Sequence, residues 1–211
     1  MQYPRHGHAV CALSDAFMIV TGTRKDQNRS AHRAELYDID SNKWQELPQM
    51  REGRYYHASC AFKQEWIYVF CGISILKQHH HLFSIERLNI KSYFDGQQSL
   101  WEPIITTPQV DMFGALTPRQ GCAAAQVSDD GILVIGGFGN QRYFKDCLLL
   151  DTRTNHFNRD AHLPSEVFPF AVPTLADQNS GTCVTVDWKS YQVFVKQGET
   201  WSQGVPLKQP Q

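Results

Sequence analysis

Gly53-Arg54-Tyr55-Tyr56-His57-Ala58-Ser59-Cys60-Ala61-Phe62 decides how this chain is read, because its pattern already stands earlier as Pro4-Arg5-His6-Gly7-His8-Ala9-Val10-Cys11-Ala12-Leu13. Arginine, histidine, alanine and cysteine return at one constant offset, so the two segments occupy equivalent structural places. A fainter copy runs from Pro118 to Val127. Each segment leads through a polar turn (Ser14-Asp15, Lys63-Gln64-Glu65, Asp129-Asp130-Gly131) into an apolar, β-prone run that stops at glycine: Phe17 to Gly22, Trp66 to Gly72, Ile132 to Gly137. These are hairpins, and the Asp-Gly pair suits the positive φ of a tight hairpin turn. Turn chemistry therefore accounts for Asp129 and Asp130, which would otherwise suggest a pair of catalytic carboxylates.

A third strand follows a variable loop at Ala34 to Ile39, Ile85 to Ile90 and Cys147 to Leu150, with Asp38, Asn89 or Asp151 at or near its end. A fourth carries an aromatic, Trp44, Trp101 or Phe157, ahead of Pro48, Pro103 or Pro164. Four short strands repeating at roughly 50 residues, without helical periodicity, form the signature of a β-propeller blade. A degenerate fourth copy threads through Phe170 to Ala176, Thr182 to Asp187, Tyr191 to Lys196 and Thr200 to Ser202, with Trp201 in the aromatic place. It lacks the opening arginine and the glycine stop, as terminal repeats often depart from the pattern. The expected blades are 4–48, 53–104, 118–164 and 168–203, making one all-β domain over 1–203, with 204–211 as a tail.

Composition bounds the function. With 42% hydrophobic residues, 12 Phe, 8 Tyr and 5 Trp, the 211-residue chain is too apolar to be disordered. A formal net charge of -1 gives no basic field for a phosphate backbone, so nucleic acid is not an expected partner. No apolar run approaches the roughly 18 residues of a membrane span, and the first residues lack a secretory signal, so the expectation is a cytoplasmic protein with no membrane partner. The six cysteines (Cys11, Cys60, Cys71, Cys122, Cys147, Cys183) form no C-x-x-C pair and read as small buried thiols.

The Arg-x-x-His pairs Arg5/His8 and Arg54/His57, the runs Ile67 to Gly72 and Ile132 to Gly137, Tyr37-Asp38 and the recurring aromatics together resemble the kelch family. The glycine pair is complete at Gly136-Gly137, reduced to Thr21-Gly22 and Cys71-Gly72 in the first two copies, and missing from the fourth. The resemblance implies a kelch-type propeller. Such propellers usually close with about five to seven blades. Four recognisable four-stranded blades therefore either close tightly or, as the favoured expectation, form an incomplete propeller, with self-association or further blades from a longer chain supplying the rest.

The resemblance also implies a protein-binding face built from the segments that open the first strands and the loops after the second. That face comprises Arg5, His6, Arg24, Arg54, Tyr55, Tyr56, Arg119, Gln120, Phe138, Arg142 and Tyr143. Arginine and tyrosine are hot-spot residues, and an acidic protein segment is the partner such a face suits. The repeated arginines have a second reading, as hydrogen-bond donors to neighbouring backbone. Gln78-His79-His80-His81 reads as a solvated loop in preference to a metal site, and Gly137-Phe138-Gly139 lacks the third glycine of a dinucleotide fingerprint. No catalytic motif, metal site or cofactor is expected. The expected function is a noncovalent protein-protein interaction module, and a sugar-active or copper oxidase-type propeller enzyme is the alternative the fold leaves open.

Overall fold

The computed structural model describes residues 1–24, 30–74, 80–105, 117–167, 175–177, 180, 182–187 and 189–207. Among the described residues it is all-β apart from one short helix, with four four-stranded antiparallel sheets, the expected blades, each in sequential strand order. Two compact units, Met1–Ile104 and Ile105–Gln211, hold two blades each.

Blade 1 consists of Ala9–Ala12, Phe17–Thr21, Ala34–Asp38 and Lys43–Leu47. Blade 2 consists of Ala58–Phe62, Trp66–Phe70, Ile85–Asn89 and Glu102–Ile104. Strand burial follows the sequence: Ala58–Phe62 alternates between buried and half-buried, whereas the apolar run Trp66–Phe70 is buried almost throughout. The core of this unit joins the two blades, with Ile19, Leu36 and Leu47 meeting Ile67, Val69, Leu88 and Trp101. Trp101 also donates its indole N–H to the Pro48 carbonyl at 2.8 Å, tying blade 2 to the segment that leaves blade 1.

Blade 3 consists of Ala123–Gln126, Gly131–Ile135, Cys147–Asp151 and His156–Asp160. Blade 4 consists of Leu175–Asp177, Thr182–Val186, Val193–Gln197 and Thr200–Gln203. Residues 170–174 of the expected first strand of blade 4 lie outside the described residues. Leu133, Ile135, Cys147, Val167, Cys183 and Phe194 form the core shared by these two blades. All six cysteines are free thiols and five are buried, as expected of small core residues.

Register places the four aromatics at one position. Trp44 stands opposite Tyr37, Phe157 opposite Leu150 and Trp201 opposite Lys196, and Trp101 precedes the Glu102–Arg87 pair, so the ladder sets it opposite Leu88. The acidic or amide residue ending the third strand also has one job in blades 1 to 3. Asp38 accepts from Ser41 N, Asp151 from Arg153 N and Thr154 N, and Asn89 from Ser92 N, where it caps the helix Ile90–Phe94.

Three details correct the sequence reading. The left-handed pair that turns a tight hairpin is Lys63-Gln64, at φ 53° and 55°, whereas Gly131 does not have positive φ. The expected tail is partly engaged: Gly204 N and Leu207 N donate to the carbonyls of Val193 and Tyr191 along blade 4. The glycine stop of blade 1 is shifted by one residue. Thr21 pairs with Ala9 as Phe70 does with Ala58 and Ile135 with Ala123, so Gly22 matches Cys71 and Gly136, and Thr23 holds the second glycine's place.

Candidate functional site

The three repeated arginines point inward. Arg5 donates through Nε and Nη2 to Glu35 at 2.9 and 2.7 Å, and through Nη1 to the carbonyls of Gly22 and Arg33. Arg54 bonds the Cys71 and Ser84 carbonyls, Ser84 Oγ and Glu86 Oε1, the last at 2.7 Å. Arg119 grips Asp146 with two bonds of 2.8 and 2.9 Å, donates to the Gly136 carbonyl, and lies 4.2 Å from the Phe144 ring centroid. All three guanidinium side chains are at 0% exposure. In each blade the arginine reaches a carbonyl 17 residues on, where the second strand ends, and a carboxylate where the third begins. Of the two sequence readings, internal donor and partner contact, the internal one describes these side chains.

The recurrence of this latch is a repeat signature in three dimensions, and a model of the KLHDC2/KLHL20/DRC7 kelch-repeats domain matches residues 1–169, most of the chain. The chain belongs to the kelch-repeat family. A search of curated proteins finds no match.

In kelch blade 4 the latch is replaced. Val167 N bonds the Phe144 carbonyl, as Arg54 N bonds that of Ala31, and the Val167 carbonyl crowds Gly136 as the Arg54 carbonyl crowds Gly22. A side chain at either glycine would collide with that backbone, and both have positive φ. Val167 thus stands where an arginine would open the blade, and it is buried in the core. Sequence reasoning identified the arginines of this kelch chain but missed their acids. The available signal was a glutamate in the second place of the third strand, between or after apolar residues, as in Ala34-Glu35-Leu36 and Ile85-Glu86. In blade 3 the shorter Asp146 does the same work from just before the strand Cys147–Asp151.

The histidine of the kelch repeat joins blades. His57 is buried, and its Nε2 lies 2.7 Å from Thr21 Oγ1 at the end of blade 1's second strand, while its Nδ1 has no hydrogen-bond partner. Burial holds this imidazole's pKa well below its ordinary value, and the charges of Arg54, His8 and Arg5 push the same way. His8 is lowered likewise, by burial first and then by Arg5 and His6.

The other expected site residues divide between the units. In the first, His6 and Arg24 are exposed, Tyr56 is half-buried and Tyr55 is buried. They form one cluster: His6 Nε2 lies 3.0 Å from Tyr56 Oη, the Tyr55 and Tyr56 rings meet edge-on at 4.9 Å, and the Arg24 guanidinium lies 5.8 Å from the Tyr55 centroid. In the second, Gln120 and Phe138 exchange backbone hydrogen bonds of 2.9 and 2.8 Å. Phe138–Gly139 pairs with Arg142–Tyr143 across a turn at Asn140 and Gln141, both left-handed, placing Phe138 5.0 Å from Tyr143 and leaving Arg142 exposed. Gln78 and His79 lie outside the described residues. Among the described residues no group of three or more His, Cys, Asp or Glu is placed to hold a metal, and no helix is long and apolar enough to cross a membrane.

Proposed function

We propose that this kelch chain is an interaction module that binds, in each unit, through the segments opening the first strands and the loops after the second. The observation that carries this reading is the division among its arginines. Arg5, Arg54 and Arg119 are committed to internal acids, whereas Arg24 and Arg142 are exposed beside Tyr55, Tyr56, Phe138 and Tyr143. Exposed arginine next to aromatic rings is the composition of binding hot spots: the rings bury area at low entropy cost, and the planar cation pairs a carboxylate. An acidic protein segment is the partner this chemistry fits.

Affinity capture with the intact chain, repeated with Arg24→Glu and Arg142→Glu, tests the reading. The expected result is that each variant loses the partners held by its own unit, with weaker capture by the wild type at high salt, since exposed charges are screened. Retention of every partner by both folded variants would place binding elsewhere. Turnover of a sugar, or stoichiometric copper uptake, would replace this reading with an enzymatic one.

A further inference from the structure

The residue two places after the repeated arginine is left-handed in every blade that has the latch: Gly7 at φ 67°, Tyr56 at 54° and Gly121 at 61°. Two blades place glycine there, the residue that adopts this conformation without steric cost. Blade 2 places a tyrosine there, and a bulky residue at positive φ is an outlier held against its own preference. The left-handed turn is thus part of the latch-bearing blade, as Lys63 and Gln64 are part of a hairpin; what sets blade 2 apart is a tyrosine where the others have glycine. Blade 1 is also shaped around this ring: a Cβ on Gly7 would come within 2.5 Å of Tyr56 Cε1, Gly7 O accepts from Tyr56 N at 2.7 Å, and His6 meets the phenol oxygen. Beside it, Arg24 forms no ion pair among the described residues, in contrast to Arg5, Arg54 and Arg119.

We propose that Tyr56 is the anchor of the binding surface, a tyrosine kept at a left-handed place that glycine would fill without strain, so that its ring meets an apolar side chain of the partner while Arg24 takes an adjoining carboxylate. The proposal rests on the interaction-module reading and adds to it the contact residue and the partner's local pattern, apolar next to acidic. The blade itself supplies the left-handed turn; the costly feature is the choice of tyrosine over glycine there, and that choice marks the side chain as the part in use.

The test compares Tyr56→Phe, Tyr56→Ala and Tyr56→Gly in the whole chain, using peptides selected by the wild type from a random phage-displayed library. Selected peptides are expected to carry an apolar residue beside Asp or Glu, to bind Tyr56→Phe within a few-fold of wild type, and to bind both truncations at least about tenfold more weakly. Thermal melts give a second readout. Tyr56→Gly should melt a few degrees above Tyr56→Ala, because glycine relieves strain that alanine keeps. Tight binding by Tyr56→Gly, or a Tyr56→Ala variant melting as high as Tyr56→Gly, would overturn the anchor while leaving the module reading intact. Failure to select any peptide would overturn the module reading, and the anchor with it.

Discussion

Replacing Arg54 with methionine separates a latch from a contact residue. The side chain is buried and makes four hydrogen bonds, to Cys71 O at 2.8 Å, Ser84 O at 3.0 Å, Ser84 Oγ at 3.2 Å and Glu86 Oε1 at 2.7 Å. Methionine fills much of the volume but leaves Glu86, itself only 2% exposed, without its cation. Breaking a buried pair from one side costs about 3 to 5 kcal/mol, chiefly through the stranded charge. Glu86 would still accept from Arg51 N at 2.7 Å and Glu52 N at 3.1 Å, so the loss belongs near the lower end, about 3 kcal/mol. That is a large share of a typical stability of about 5 to 15 kcal/mol. Adding Glu86→Leu should recover part of the loss, since an apolar pair strands no charge. Urea denaturation followed by circular dichroism, with exposed Arg24→Ala as a control expected within about 0.5 kcal/mol, measures each term. A single-variant loss under about 1 kcal/mol, or a double variant costing the sum of its singles, would refute the latch.

Trp101→Ala should cost about 3 to 5 kcal/mol as a large core truncation, and Trp44→Ala, at the same register place but half-exposed, clearly less; equal losses in denaturant melts would refute the packing assigned to Trp101. His57 has a lowered pKa in the folded chain, so the unfolded chain binds the extra proton and stability should fall as pH drops below the ordinary imidazole value of about 6.5. His57→Gln should flatten that slope, measured as melting temperature against pH, and an unchanged slope would show that His57 does not cause it.

The repeat was legible because strand pairing imposes periodicity on the residues that make it. Arg5 and Arg54, Trp44 and Trp101, and the residues ending the third strands recur because each meets the same local geometry. The direction of the arginines was not legible, since the acids that turn them inward lie about 30 residues away and only folding brings them close. Thr21 likewise looks like an ordinary strand residue until His57 is placed against it. The one-residue shift of the glycine stop in blade 1 was hidden because Thr21-Gly22 resembles Cys71-Gly72 as a dipeptide, and only the ladder distinguishes the two alignments. Tyr56 is legible as a surface side chain, whereas its left-handed backbone has a trace only in the glycines, Gly7 and Gly121, that the other copies carry at its place.

The latch also bears on how such chains grow by duplication. Arg54, Cys71, Ser84 and Glu86 all belong to one blade's stretch of sequence, so a copied blade arrives with its arginine, its carbonyls and its acid already matched. Arg119 and Asp146 show such a copy diverging as a pair: the acid has become shorter and stands two residues earlier, just before its strand instead of at the strand's second place, with both ends of the change inside one blade. The His57–Thr21 bond follows the opposite rule, because its two ends are inherited separately. Contacts within a blade are thus free to drift together, whereas contacts between blades must be re-established after every duplication.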